Sequence, residues 1–359
     1  MKIALVHDHF IQQGGAERVA VALAELFPES PMFALLSDGK NTPGRTISTS
    51  FLQKFPFSRR KIHWYLPLMP SAVESLDLSG ADVVISSSSM FAKGVLTNPG
   101  TTHICYCHTP PRFLWSDRQN YLRELNYNSL VKGIAPVLLT NLRQWDKSAA
   151  DRVDSFIANS ETTRQRIKKY YNRDSAVIYP PVDTEKFKIS GSPGKYFLAG
   201  GRLVGYKRFD LVVEAFNRLN MPLKIFGTGP LFGFLKSRAK KNVEMLGKVS
   251  EAEKIELMAG CRAFINPQEE DFGITTVEAM AAGRPVIAFR KGGAVETVIE
   301  NETGVFFDDQ CWEEIADKVI RFDSDRFDPE KIRHQAMKFD KSVFKKSISA
   351  FLENKMALD

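Results

Sequence analysis

Two series of short apolar segments, each divided from the next by an amphipathic stretch, constrain this chain most. The first runs Ile3–Val6, Val83–Ser86, His103–Cys107 and Ser155–Ala158. The second runs Tyr196–Ala199, Leu223–Phe226, Val243–Leu246, Ala263–Ile265 and Val286–Ala288. Strands alternating with helices predict an α/β protein with parallel sheets. The series join near Tyr179-Pro180-Pro181-Val182-Asp183, because two consecutive prolines bar a helix or a central strand. The expectation is two doubly wound domains, residues 1–181 and 182–338, and a terminal segment, 339–359, with a helix from Lys341 to Phe351. Ligands of such sheets sit beyond the carboxyl ends of the strands, so two facing halves would form a cleft.

A length of 359 residues fits two domains of about 150 residues each. No apolar run approaches the roughly 18 residues that span a bilayer. The N-terminus does not read as a signal peptide: its apolar run stops at His7-Asp8-His9, and it is expected to be a buried first strand. Cys105, Cys107, Cys261 and Cys311 lack metal-ligand spacing and read as thiols of a reducing, cytoplasmic compartment. The net charge of +7 favours anionic substrates or an anionic membrane surface. No nucleic-acid motif accompanies it.

The stretch Arg262 to Pro285 carries the most chemistry. A short strand leads through an acidic loop, Gln268 to Asp271, into a predicted helix, Ile274 to Ala282, stopped by Gly283 and Pro285. Gly273 lets a ligand approach the backbone. The first N–H groups of the helix, at Ile274 and Thr275, then suit a phosphate. Glu270 precedes that site. Glu278 lies one turn in, on an otherwise apolar face, where a carboxylate needs a hydrogen-bonding partner; ribose hydroxyls would serve. Carboxylate, phosphate-binding helix end and carboxylate together suit a sugar nucleotide.

Glu270 and Glu278, with Phe272-Gly273 between them, resemble the E-x7-E motif of the retaining glycosyltransferases of family 4, which have the GT-B fold of two Rossmann-like domains. Other motifs follow in the family's order. Gln12-Gln13-Gly14-Gly15 resembles its Gly-Gly loop, with Glu17 at an acceptor- or sugar-facing position. His108-Thr109-Pro110-Pro111-Arg112-Phe113-Leu114-Trp115 resembles the H-T-P-x-R-x-x-W stretch of the branch that includes bacterial O-antigen and lipopolysaccharide mannosyltransferases. There the histidine lies beside the transferred sugar, and Arg112 falls on the acceptor side or braces the loop. Gly201-Arg202 and Lys207 resemble the G-R-x-x-x-x-K loop, whose cations would hold the diphosphate as it gains charge in the transition state. Phe226-Gly227-Thr228-Gly229-Pro230 and Gly247-Lys248-Val249 resemble the segments that shape the nucleotide pocket. Ser160 reads as a helix N-cap. In GT-B enzymes a C-terminal helix such as Lys341–Phe351 crosses back onto the N-terminal domain.

The resemblance implies transfer of a hexose from a nucleoside-diphosphate sugar, with retention, to a lipid-linked or polysaccharide acceptor. His108, Glu270, Arg202 and Lys207 are the expected catalytic group. Gly14, Gly15, Gly201, Gly229, Lys248, Val249, Phe272, Gly273, Ile274, Thr275 and Glu278 are expected on the donor, and Glu17 and Arg112 on the acceptor. No cofactor is expected, and no catalytic metal, on the reading that the chain lacks a D-x-D triplet. GDP-mannose is the favoured donor and UDP-sugars are next. A sugar-nucleotide epimerase and a non-catalytic nucleotide-sugar-binding protein are the alternatives. The basic and aromatic run Phe57 to Leu66 suits peripheral docking on the cytoplasmic face of an anionic membrane.

Overall fold

The computed structural model describes residues 1–12, 14–40, 42–119, 122, 129–191 and 194–357. The chain divides into two compact units, Met1–Tyr179 with Ser347–Asp359, and Pro180–Lys346. Each is built on one wholly parallel sheet with helical crossovers.

In the first unit the strands are β1 (Ile3–Phe10), β2 (Met32–Ser37), β3 (Ile47–Thr49), β4 (Val83–Ser88), β5 (Thr102–Cys107), β6 (Ser155–Ala158) and β7 (Ser175–Val177). They lie in the order β3-β2-β1-β4-β5-β6-β7. In the second unit β8 (Phe197–Gly200), β9 (Leu223–Phe226), β10 (Val243–Gly247), β11 (Phe264–Asn266), β12 (Val286–Phe289) and β13 (Gly304–Phe307) lie in the order β10-β9-β8-β11-β12-β13. The order therefore reverses between β1 and β4, and again between β8 and β11.

Four strands escape the sequence pattern: β2, β3, β7 and β13. Two of them, β3 and β7, are only three residues long and half-exposed, too short to show periodicity. The first strand also runs further than its apolar run, through His7, Asp8 and His9 to Phe10. The buried Asp8 carboxylate keeps the strand intact by accepting from the N–H groups of Ser89 (2.6 Å), Met90 (2.9 Å), Phe91 (2.8 Å) and Ala92 (2.7 Å). Five hydrogen bonds, including one from Ser89 Oγ at 3.0 Å, replace the water it loses.

The helix after β1 starts at Gly15, and the predicted helix after Gly273 ends at Ala281. Ser160 caps the helix Glu161–Tyr171 by accepting from Thr163 N–H at 3.1 Å. The last helix, Lys341–Met356, begins in the second unit, and its residues from Ser347 onward belong to the first.

Candidate functional site

In the second unit the loops after β8 and β11 emerge side by side at the reversal of strand order, where open parallel sheets take ligands. The first loop supplies Gly201, Arg202 and Lys207, and the second supplies Glu270, Phe272 and Gly273. They meet: Lys207 Nζ donates to Glu270 Oε1 at 2.5 Å. The two side chains are only 12% and 16% exposed. Burial pushes the Lys207 ammonium down, but the Glu270 carboxylate outweighs it and holds the lysine above its ordinary value. Arg202, itself exposed, is near enough to oppose that rise.

Glycines keep the site open. Gly201 has φ +139°, and a Cβ there would lie 3.3 Å from Lys207 Nζ. Gly273, at φ +90°, caps the helix Ile274–Ala281, and a Cβ there would lie 3.3 Å from Glu270 Oε2. The Gly273 carbonyl accepts from Thr276 N–H at 3.0 Å, and the N–H groups of Ile274 and Thr275 stand outside the helical ladder. Phe272 is buried against Phe339, with ring centroids 5.4 Å apart. Gly229 turns the loop after β9 so tightly that a Cβ would meet the Leu203 carbonyl at 2.4 Å. Lys248 is exposed and Val249 half-buried just past the end of β10.

Glu278 has a partner that the sequence does not reveal. It is 2% exposed, and its Oε1 accepts from Lys254 Nζ at 2.9 Å. Lys254, on the helix Glu251–Gly260, also lies 3.0 Å from Glu251. The chain itself thus meets the need for which a ribose was invoked. One D-x-D triplet does occur, Asp323-Ser324-Asp325, outside the donor loops. It forms a turn in which Asp323 accepts from Asp325 N–H at 3.1 Å.

In the first unit His108 follows β5 and is 8% exposed. Its Nε2 lies 2.8 Å from Ser87 Oγ. Ser87 Oγ also lies 3.1 Å from His7 Nδ1. Burial lowers His108 to about 4 and His7 to about 3, against the opposing pull of Asp8 in each case. The reach of β1 past its apolar run is what brings His7 opposite Ser87.

Glu17, read at an acceptor- or sugar-facing position, is buried. It is 5% exposed, 3.8 Å from His9 Nδ1, and a Cβ on Gly14 would lie 2.7 Å from its Oε2. Burial raises its pKa, against the opposing pull of His9. Gly15 is exposed at the start of its helix, and Gln13 lies outside the described residues.

Arg112 is half-buried in the loop after His108, which closes when Asp117 N–H donates to the Arg112 carbonyl at 2.7 Å. Trp115 anchors that loop by donating from Nε1 to Asp146 at 2.8 Å. Asp146 pairs with the buried Lys93, an interaction without any sequence signature.

The expected residues thus form two groups. Gly201, Arg202, Lys207, Gly229, Lys248, Val249, Glu270, Phe272, Gly273, Ile274, Thr275 and Glu278 belong to the second unit. Gly14, Gly15, Glu17, His108 and Arg112 belong to the first.

The family of glycosyl transferases group 1 matches residues 182–339, and Glycosyltransferase Family 4 matches residues 13–186. An alpha-1,3/1,6-mannosyltransferase ALG2 of Dictyostelium discoideum is 26% identical over 250 residues, 55% of this chain and 56% of that protein. A GDP-mannose-dependent alpha-(1-6)-phosphatidylinositol monomannoside mannosyltransferase of Mycobacterium tuberculosis is 30% identical over 248 residues, 60% of this chain and 63% of that protein. The chain spans little more than half the length of these relatives. The crystal structure of Anabaena HepE in complex with UDP superposes with a TM-score of 0.72 at 17% identity, covering 99% of this chain and 100% of that one. The fold is that of the GT-B glycosyltransferases. The chain belongs to the group 1 and family 4 glycosyltransferases.

Proposed function

We propose that this chain transfers a hexose from a nucleoside-diphosphate sugar to a lipid-linked or glycan acceptor, with retention at the anomeric carbon. The contact between Lys207 and Glu270, beside the Gly273 helix end, carries the reading. In it, Lys207 and Arg202 receive the diphosphate as charge develops on the leaving group, so they stabilise the transition state more than the ground state. The helix N–H groups at Ile274 and Thr275 add fixed dipoles. Glu270, released from Lys207, grips sugar hydroxyls. Glu278 holds the ribose. His108 aligns the sugar. The acceptor attacks from the face that the phosphate leaves, and the phosphate oxygen takes its proton. The reading needs no metal, so EDTA leaves the rate unchanged.

The similarity to mannosyltransferases favours GDP-mannose. The UDP held by a structural neighbour keeps UDP-sugars as the second donor class. A thermal-shift screen of GDP-mannose, UDP-glucose and UDP-GlcNAc, followed by assay of donor hydrolysis, tests the proposal. Stabilisation by one donor and its turnover support it; no response to any nucleotide sugar sinks it.

The acceptor side also fits a membrane. Phe57 and Trp64 are 63% and 53% exposed beside the exposed Arg59, Arg60 and Lys61. Lys61 Nζ sits 3.9 Å from the Trp64 ring centroid. Phe57 also holds φ +57°, unusual for a bulky side chain. Aromatic and basic side chains together suit an anionic lipid interface. Co-sedimentation with anionic but not zwitterionic vesicles, reduced in Trp64→Ala, is the expected outcome. No helix among the described residues is long and apolar enough to cross a membrane.

A further inference from the structure

His108 reaches Ser87, and Ser87 reaches His7. The direction of those hydrogen bonds can be worked out from chemistry alone. His7 Nδ1 lies 3.1 Å from the backbone carbonyl of Ser87 as well as 3.1 Å from its hydroxyl. A carbonyl oxygen only accepts, so a lone pair on Nδ1 would face another lone pair. The other ring nitrogen, His7 Nε2, is buried and without a hydrogen-bond partner. A proton there would be an orphan buried donor, which costs more than an orphan acceptor beside the Phe10 ring, 4.7 Å away between centroids. The proton of His7 therefore sits on Nδ1 and points at Ser87.

Ser87 Oγ accepts that proton's hydrogen bond and has one hydrogen of its own to give. Were His108 Nε2 protonated, Ser87 Oγ would accept twice and its own hydrogen would be an orphan buried donor; giving that hydrogen to His108 Nε2, 2.8 Å away, avoids the cost. His108 Nε2 is then an acceptor, and a neutral imidazole that accepts at Nε2 carries its proton at Nδ1. Burial keeps both rings neutral at pH 7. Among the described residues no group bonds His108 Nδ1.

We propose that Ser87, itself oriented by His7, locks His108 as the Nδ1–H tautomer, so that His108 offers its substrate a hydrogen-bond donor and not an acceptor. Ser87 and His7 are then positioning residues, and the atom His108 meets is an oxygen with a free lone pair, on a sugar hydroxyl or on a phosphate. The substrate part of this inference rests on the proposed function; the tautomer does not.

The test reads the tautomer without any substrate. Nitrogen-15 NMR of the intact chain, with His108 assigned by comparison with His108→Gln, should show the proton on Nδ1 at pH 7. Ser87→Ala should mix the two tautomers and lower donor turnover about 10-fold to 100-fold, the loss seen when a metal-ligating histidine loses the partner that orients it. Ser87→Thr, which keeps the hydroxyl, should restore both readouts. A wild-type His108 protonated at Nε2, or a Ser87→Ala variant with an unchanged tautomer, overturns the proposal. Should Ser87→Ala fail to fold, the wild-type spectrum alone decides. An Nδ1–H spectrum in a chain that turns over no donor would sink the proposed function and leave the relay standing.

Discussion

Two of the buried lysine–carboxylate pairs, Lys93–Asp146 in the first unit and Lys207–Glu270 in the second, differ in what surrounds them. Lys93 and Asp146 are 1% exposed and fully used. Lys93 Nζ also donates to the Met90 carbonyl at 3.0 Å. Asp146 Oδ2 accepts from Trp115 Nε1 at 2.8 Å and from the Tyr171 hydroxyl at 2.9 Å. Lys207 and Glu270 keep 12% and 16% of their surface, with a second cation nearby and two glycines beside them. A saturated pair has nothing left for a ligand. A half-open pair can trade one partner for another at modest cost, since water already shares in solvating it. The first pair fixes the loop that follows His108; in the proposed function, the second holds two groups ready for separate parts of a donor.

The sharpest way to break this contrast is to remove one carboxylate from the closed pair. Asp146→Ala leaves Lys93 buried and unpaired and should cost about 3–5 kcal/mol in chemical denaturation, whereas replacing the pair together, as Lys93→Met with Asp146→Leu, should recover most of that. An Asp146→Ala variant as stable as the parent would abolish the distinction. The open pair should respond in the opposite currency. Lys207→Ala should cost less stability than Asp146→Ala, because the pair it breaks keeps some access to water. Its donor turnover should fall about 10²–10³-fold, the usual loss when one fixed transition-state donor is removed. Glu270→Ala should behave alike. A large stability loss with turnover intact would make this pair structural as well.

Both residues of the open pair are legible in the sequence, though not their contact; neither residue of the closed pair is. Lys207 follows a glycine turn after a strand, and Glu270 precedes a glycine-capped helix, so local order places both at the carboxyl end of a sheet. Lys93 and Asp146 are 53 residues apart, and neither sits in a patterned segment. Lys254 was missed for the same reason: it reads as one more surface charge on a helix, and only the packing of Glu251–Gly260 against Ile274–Ala281 turns it toward Glu278. His7 and Asp8 read as the end of β1 because polar residues ordinarily stop a buried strand. The hydrogen bonds that let the strand continue come from residues 89–92, which no local pattern links to position 8.

The units should also part under acid. Burial lowers His7 and His103 to about 3 and His108 to about 4, and all three belong to the first unit. An unfolded histidine titrates near about 6.5, so below that pH the unfolded chain takes up protons that the folded unit refuses. The stability held by these neutral rings is whole above about pH 6.5 and drains as pH falls toward 4. Lowered Asp8 acts in the same direction at still lower pH, and raised Glu17 opposes it in part. Trp64, Trp115 and Trp145 lie in the first unit and Trp312 in the second, so a Trp312→Phe variant reports the first unit by fluorescence. Its transition in mild urea should move to lower denaturant between pH 6.5 and 4 before far-UV ellipticity shows the second unit following. Coincident transitions across that range would contradict the assignment.

The smallest effect is expected at Gly273, and it separates backbone from side chain in the open site. A residue with a Cβ pays about 1–2 kcal/mol in the left-handed region, so Gly273→Ala at φ +90° should lower stability by about that amount. The added Cβ would lie 3.3 Å from Glu270 Oε2 and 3.5 Å from Thr276 Oγ1. The glutamate can retreat a few tenths of an ångström, and because Oε1 is held by Lys207 the retreat must tilt the pair. Donor affinity measured by calorimetry should therefore fall by more than the stability change alone implies, while Gly292→Ala, also at positive φ in the same unit, should lower stability without that extra loss. A Cβ at Gly292 meets the Glu270 carbonyl at 2.1 Å, so the strain there falls on backbone and not on the carboxylate. Equal losses of affinity at the two glycines would mean that the loop responds as a whole and that the Glu270 side chain has no separate part in holding the donor.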